Sequence, residues 1–282
     1  MRLAPVAVYA GPMQSLTFWA AVTCYAVASV LFFLSVALRG VRTGLAARVV
    51  VAVGLLPHAV SLALRWAEVG HGPYSTRYEV ISSNVLVLVA AWLGASALAR
   101  GLRPLGAFVA PVAFLAMGWA VMTFGVKAEV PIIFKSYWLA LHIGFAKLFG
   151  MSMMLSAGCA AAYLLRTRPS AAPARREAAA RLGRYAHQLL LVAFFLLGVM
   201  IAAGALWAHQ SWGRYWGWDP IETSSLVTWL VLGMILHLGS LHGWSGRRLA
   251  WLNFVALGFA IVTVYVVAMV VPTIHNSYLI AR

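Results

Sequence analysis

A series of apolar runs, each about 20 residues long, constrains this chain more than any other feature. They lie at roughly 17–38, 48–67, 80–99, 104–124, 138–165, 186–207, 221–240 and 250–271. The runs are continuously apolar and show no period-two alternation, so they read as helices and not as barrel strands. The expected fold is therefore all-α: a polytopic integral membrane protein with about eight transmembrane helices. At 63% hydrophobic and 10% charged residues, the chain has too little polar surface for a water-soluble globule. Only Arg2 precedes a mixed N-terminal stretch carrying Pro5, Gly11 and Pro12, which is not a signal-peptide pattern.

The net charge of +15 would suit a nucleic-acid partner, but its distribution points to topology instead. One alternating set of loops holds 13 basic residues, from Arg39 and Arg42 through Arg247 and Arg248, against one acid, Glu177. The opposite loops and both termini hold seven basic residues and five acids. The positive-inside rule then places the basic loops in the cytoplasm and both termini outside. No nucleic-acid partner is expected. The Pro- and Arg-containing linker 166–185 reads as a mobile cytoplasmic connection. It divides a five-helix part (1–165) from a three-helix part (186–282), which carries an aromatic loop at 208–220. The two cysteines, Cys24 and Cys159, both fall in apolar spans, so no disulfide framework, CxxC pair or zinc cluster is available.

Helix 2 carries Pro57-His58 about 15 Å into the membrane at 1.5 Å per residue. A buried histidine there is either a functional group or a neutral ring bonded to a neighbouring helix. In the outer loop that follows, His71 reads as solvated. Glu79, at the start of helix 3, is explained by the helix N-terminus alone. Pro111 and Gly118 predict a kink or a close contact in helix 4.

The densest local signal is Trp212-Gly213-Arg214-Tyr215-Trp216-Gly217-Trp218-Asp219-Pro220. Trp and Tyr favour the membrane interface, so a simple aromatic belt is one reading. The alternative is an apolar shelf for a large flat ligand, formed by Trp212, Tyr215, Trp216 and Trp218, with Arg214 available to a carboxylate. Asp219, Pro220 and Glu222 have the spacing of a helix cap, with Asp219 as N-cap and Glu222 three residues on. Their presence therefore implies no chemistry.

Two histidines lie near the level of that loop. His142 is just inside the outer end of helix 5, and His275 is just beyond helix 8. Two neutral imidazoles from different helices suit a haem iron held from both sides. His58 and His237 make a second set on the inner half, at estimated depths of about 15 and 8 Å. They would serve one haem or two different partners. His187 and His242 lie near the inner surface and read as structural or exposed.

These residues resemble the CcsA (ResC) family of System II cytochrome c biogenesis, within the wider haem-handling WWD proteins. The resemblance rests on Gly204-Ala205-Leu206-Trp207, on Trp212 through Thr223, and on Trp229. Further matches are the Gly70–Glu79 segment, Trp138-Leu139-Ala140-Leu141-His142, Leu236-His237 and His275-Asn276-Ser277-Tyr278. Ile221 departs from the basic residue expected after Asp-Pro. The resemblance implies the haem-handling membrane subunit of a cytochrome c synthase, or haem lyase, in a bacterial plasma membrane or a thylakoid-type membrane. Haem b would be both substrate and bound ligand. It would be presented at the outer face for thioether attachment to an apocytochrome CxxCH motif. His142 and His275 would ligate the outer haem above a Trp-rich platform that includes Asp219, and His237 would ligate an inner haem. His58 receives no role from the resemblance. A CcsB (ResB)-like membrane partner is implied, and thiol-reductant proteins are compatible further partners.

Two other functions compete with this one. A CcmC-like haem exporter or chaperone would share the loop and its outer histidines but have fewer helices. A b-type electron-transfer protein would show paired histidines at helical spacing on two helices, and no such pairs occur.

Overall fold

The computed structural model describes residues 10–38, 40–126, 130, 132–167, 173–271 and 273. Among these the regular structure is entirely helical, and eight helices are long and apolar enough to cross a membrane. Large apolar side chains such as Phe33, Leu56, Leu115, Phe195 and Met234 are exposed along them. Lipid is the solvent that makes such a surface stable. The protein is an integral membrane protein.

The helices form two compact units, one within 1–130 and one within 131–278. The first contains α1 (Pro12–Ala37), α2 (Val41–Val69), α3 (Arg77–Leu98) and α4 (Gly106–Ala120). The second contains α5 (Tyr137–Arg166), α6 (Pro173–Trp212), α7 (Pro220–Ser240) and α8 (Arg247–Ile261). A π-helical segment, Val262–Val267, and a short turn, Ala268–Val270, continue α8. The grouping is four and four, where five and three were expected, because α5 packs most extensively on α6.

The linker also departs from expectation. Residues from Pro173 onward are already helical, so α6 runs for 40 residues, or about 60 Å at 1.5 Å per residue. Alanine-rich sequence favours helix, Pro173 is tolerated in the first turn, and Glu177 pairs with Arg181 one turn on. The charge run that reads as a hinge is instead a solvated extension of a membrane helix.

In the first unit, α2 and α3 are joined by a buried ion pair. Arg65 Nε donates to Glu79 Oε1 at 2.9 Å, with both side chains at most 1% exposed. Arg65 also donates from Nη2 to the Val126 carbonyl. The Thr76 N–H donates to Glu79 Oε2 (3.3 Å) and the Glu79 N–H donates to Thr76 Oγ1 (3.2 Å), which completes a capping box, and the Ser75 N–H adds a further bond to Glu79 Oε2 (2.9 Å). The helix-start explanation of Glu79 therefore holds but covers half of its role. The Tyr74 hydroxyl, in the same loop, is pushed above its ordinary pKa by burial and by the Glu79 charge. Gly118 meets nothing within 4 Å, so it makes no close contact. Gly106 does: a Cβ there would lie 2.6 Å from the Trp92 ring.

The core of the second unit joins Phe149 and Met153 of α5, Leu190, Ala193 and Leu197 of α6, Leu232 and Ile235 of α7, and Ala256 of α8. Trp229 ties α7 to α6. Its ring stacks on Phe194 at 4.8 Å, and its Nε1–H donates to the Phe194 carbonyl at 3.2 Å. Thr228 and Thr263 bridge α7 to the π-helical segment at 2.8 Å.

Candidate functional site

The second unit contains His142 and the aromatic loop. α6 ends at Trp212, and Gly213 turns the chain with φ +73°, its N–H donating to the His209 carbonyl at 2.9 Å. Seven residues later α7 starts under a complete capping box. Asp219 accepts from the Ile221 N–H at 3.0 Å. The Glu222 carboxylate reaches back to the Asp219 N–H (3.1 Å) and the Gly217 N–H (2.8 Å). Glu222 thus holds the loop as well as the helix end. Trp218 takes φ +58°, a left-handed conformation that costs a bulky residue about 1–3 kcal/mol. The residue is 70% exposed.

The aromatic residues divide into two sets. Trp212 packs edge-on against Trp207 at 4.9 Å, and buried Trp207 donates to the Ile133 carbonyl at 3.1 Å. That pair anchors the loop to the bundle. Tyr215 and Trp218 turn outward, at 55% and 70% exposed, with Trp216 edge-on to Trp218 at 5.8 Å. Arg214 is exposed and packs over Gly217, where a Cβ would lie 2.6 Å from its guanidinium carbon. Of the expected shelf, Tyr215, Trp216 and Trp218 form the accessible part, while Trp212 and Asp219 support it from within.

His209 escaped the sequence reading. It stacks on Tyr215 with ring centroids 4.1 Å apart and planes 10° from parallel. Its signal was available: it lies three residues before Trp212, inside the expected 208–220 loop, but the motif begins at Trp212 and gave it no role.

His142 is half-buried between α5 and α6, with Nδ1 2.9 Å from the Met200 carbonyl. A carbonyl oxygen only accepts, so Nδ1 carries the proton and Nε2 keeps its lone pair. Nε2 has no hydrogen-bond partner among the described residues. A ring fixed through one nitrogen with the other free is the usual arrangement of a metal-binding histidine. Gly204 makes room for it, since a Cβ there would lie 2.7 Å from Nδ1. The donor chemistry fits a haem iron.

The other histidines differ. His275 lies outside the described residues. His58 is fully buried in the first unit, with Nδ1 3.0 Å from the Tyr25 hydroxyl and Nε2 2.9 Å from the Ser82 hydroxyl. Both ring nitrogens are engaged, which matches the hydrogen-bonded alternative. His237 is exposed at the end of α7, its ring 5.1 Å from that of His242.

Residues 74–275 match the cytochrome c assembly protein family model. The chain is 30% identical to the cytochrome c biogenesis protein CcsA of Gloeobacter violaceus, over 85% of this chain and 88% of that one. It is 29% identical to CcsA of Gloeothece citriformis, over 76% and 81%. A solved structure of the cytochrome c haem lyase CcmF shares the fold, with a TM-score of 0.72 and 17% identity. That alignment covers 93% of this chain but only 48% of CcmF, so the chain spans about half of that protein's length. An eight-helix membrane chain with an aromatic loop and these relatives belongs to the CcsA family of cytochrome c assembly proteins.

Proposed function

We propose that this chain is the haem-handling membrane subunit of a cytochrome c synthase, presenting haem b, its substrate, to CxxCH apocytochromes. Its place in cytochrome c maturation follows from the family. The observation that carries the finer reading is His142, anchored through Nδ1 with Nε2 free beside the aromatic loop's own helix. His275 is the second axial ligand in this reading. Tyr215, Trp216 and Trp218 pack against the porphyrin, and Arg214 pairs with a propionate. His237 holds an inner haem whose other ligand comes from a CcsB-like partner.

Each attachment adds a cysteine S–H across a vinyl double bond of the haem. A C–S bond forms, the proton ends on carbon, and no oxidant is consumed. The chain's residues hold the porphyrin edge where the apoprotein thiols arrive, and the apoprotein histidine replaces one axial imidazole. The excess of basic residues in the opposite loops supports an outer position for the aromatic loop.

The experiment coexpresses the chain with a CcsB-like partner and a CxxCH apocytochrome in cells lacking other maturation systems. Covalent cytochrome c is expected, and His142→Ala should abolish it while the protein still accumulates in the membrane. Haem bound without any covalent product would reduce the chain to an exporter or chaperone.

A further inference from the structure

A cavity of about 540 Å³ opens in the second unit where α5 ends and α6 and α8 begin. That size lies in the ordinary range for small-molecule sites. Arg184 lines it, and Arg166, Arg247 and Arg248 lie within three residues in sequence of the lining residues Tyr163, Gly246 and Leu249. Small residues, Ala160, Gly183, Ala186 and Ala250, make much of its wall, and no acidic residue lines it.

Five polar side chains in the lining have no hydrogen-bond partner among the described residues: the Tyr163 hydroxyl, the Arg184 guanidinium, the His187 ring, the Gln188 amide and the Ser245 hydroxyl; the buried Asn253 Oδ1 also lacks a donor. Two glycines hold space for two of them. A Cβ on Gly246, which has φ +66°, would lie 2.8 Å from the Tyr163 hydroxyl, and one on Gly239 would lie 3.1 Å from the His187 ring. Asn253 marks the buried end of the cavity, its Nδ2 donating to Ser156 at 2.6 Å, and Ser156 donating to the Ala186 carbonyl at 2.7 Å.

Arginine only donates, a tyrosine hydroxyl donates well, and either form of histidine offers an N–H. Donors outnumber acceptors in this lining, one donor carries a permanent positive charge and no acid lines the cavity, a set that selects an anion rich in acceptor oxygens, with Asn253 Oδ1 left to accept from a glycerol-type hydroxyl. The small-residue wall selects an apolar chain attached to that anion. Basic pockets between membrane helices commonly take anionic lipid headgroups for these reasons. We propose that this cavity binds an anionic phospholipid, its phosphate on Arg184, Tyr163 and His187 and an acyl chain along the Ala160–Ala186 wall. The site is separate from the aromatic loop and does not depend on the haem assignment.

The test is native mass spectrometry of the full chain in detergent, with phosphatidylglycerol, phosphatidylcholine, inorganic phosphate and haemin supplied separately. Phosphatidylglycerol should remain bound in preference to phosphatidylcholine and resist millimolar inorganic phosphate. Arg184→Gln should weaken its retention about fivefold, as expected for one basic side chain at a lipid headgroup. Because Arg184 is exposed and has no partner among the described residues, the thermal melt of that variant should match the parent. Equal retention of the two lipids, or an Arg184→Gln variant that binds as the parent does, overturns the proposal. So does displacement by inorganic phosphate, which would mark a free-anion site, or stoichiometric displacement by haemin, which would mark a haem site.

Discussion

The imidazole of His142 occupies the volume that any side chain at residue 204 would need. A Cβ on Gly204 would approach Nδ1 to 2.7 Å and Cε1 to 3.0 Å. Gly204→Ala must therefore turn the ring or push α5 from α6, and the Nδ1 bond to Met200 is lost or bent. Haem retained per protein should fall on the order of tenfold, the usual effect of disturbing a ligand's support. The reduced-minus-oxidised spectrum of the purified variant measures this. Unchanged haem content would remove His142 from the site.

Trp218 pays a backbone penalty to stand outward. Trp218→Gly should release about 1 kcal/mol of strain, raising the midpoint of thermal unfolding, while cytochrome c maturation falls. A variant that loses stability and keeps full maturation would show the indole to be a packing residue only.

Asp219 acts through a hydrogen bond to the start of α7, so Asn should replace it well. Asp219→Ala should cost about 1 kcal/mol, whereas Asp219→Asn should cost far less and retain maturation. A collapse of maturation in the Asn variant, at normal stability, would assign the carboxylate a direct part in the chemistry.

Arg65 and Glu79 are buried together, and removing one strands the other. Glu79→Gln should destabilise the protein by about 3–5 kcal/mol. The double variant Arg65→Met, Glu79→Leu should recover part of that loss. Comparison of the two by thermal unfolding in detergent settles whether the pair is coupled.

His58 has each ring nitrogen bonded to a hydroxyl, so it has none to give iron. His58→Leu should leave haem content and spectrum unchanged and lower stability by the loss of two buried hydrogen bonds, about 1–3 kcal/mol. Loss of a haem signal at full stability would instead make it a ligand.

The fold was legible because lipid imposes one rule on every span, and eight long apolar runs satisfy it whatever their partners. The cap of α7 was legible as well, since Asp219 and Glu222 act within one turn of helix. Partnerships across helices were not. Arg65, near the end of the 48–67 run, shows no sign of its role until Glu79 and Val126 are seen around it. Gly106 and Gly118 look alike in sequence, but only the neighbours Phe32 and Trp92 make one of them indispensable. His142 could be placed in depth by counting residues, but the proton on Nδ1 depends on the Met200 carbonyl, 58 residues away. The stretch 173–184 misled because charge and proline suggest a hinge, whereas its alanines and its internal ion pair extend the helix.

That extension has a mechanical consequence. A rod of about 60 Å is roughly twice the hydrocarbon thickness of a bilayer, so α6 carries whole turns beyond the lipid. One continuous hydrogen-bonded lever joins the arginine-rich end to the Trp212 end, and the Met200 carbonyl that orients His142 sits partway along it. A change of tilt at the arginine-rich end would be transmitted as a displacement of the aromatic loop and a rotation of the His142 ring together.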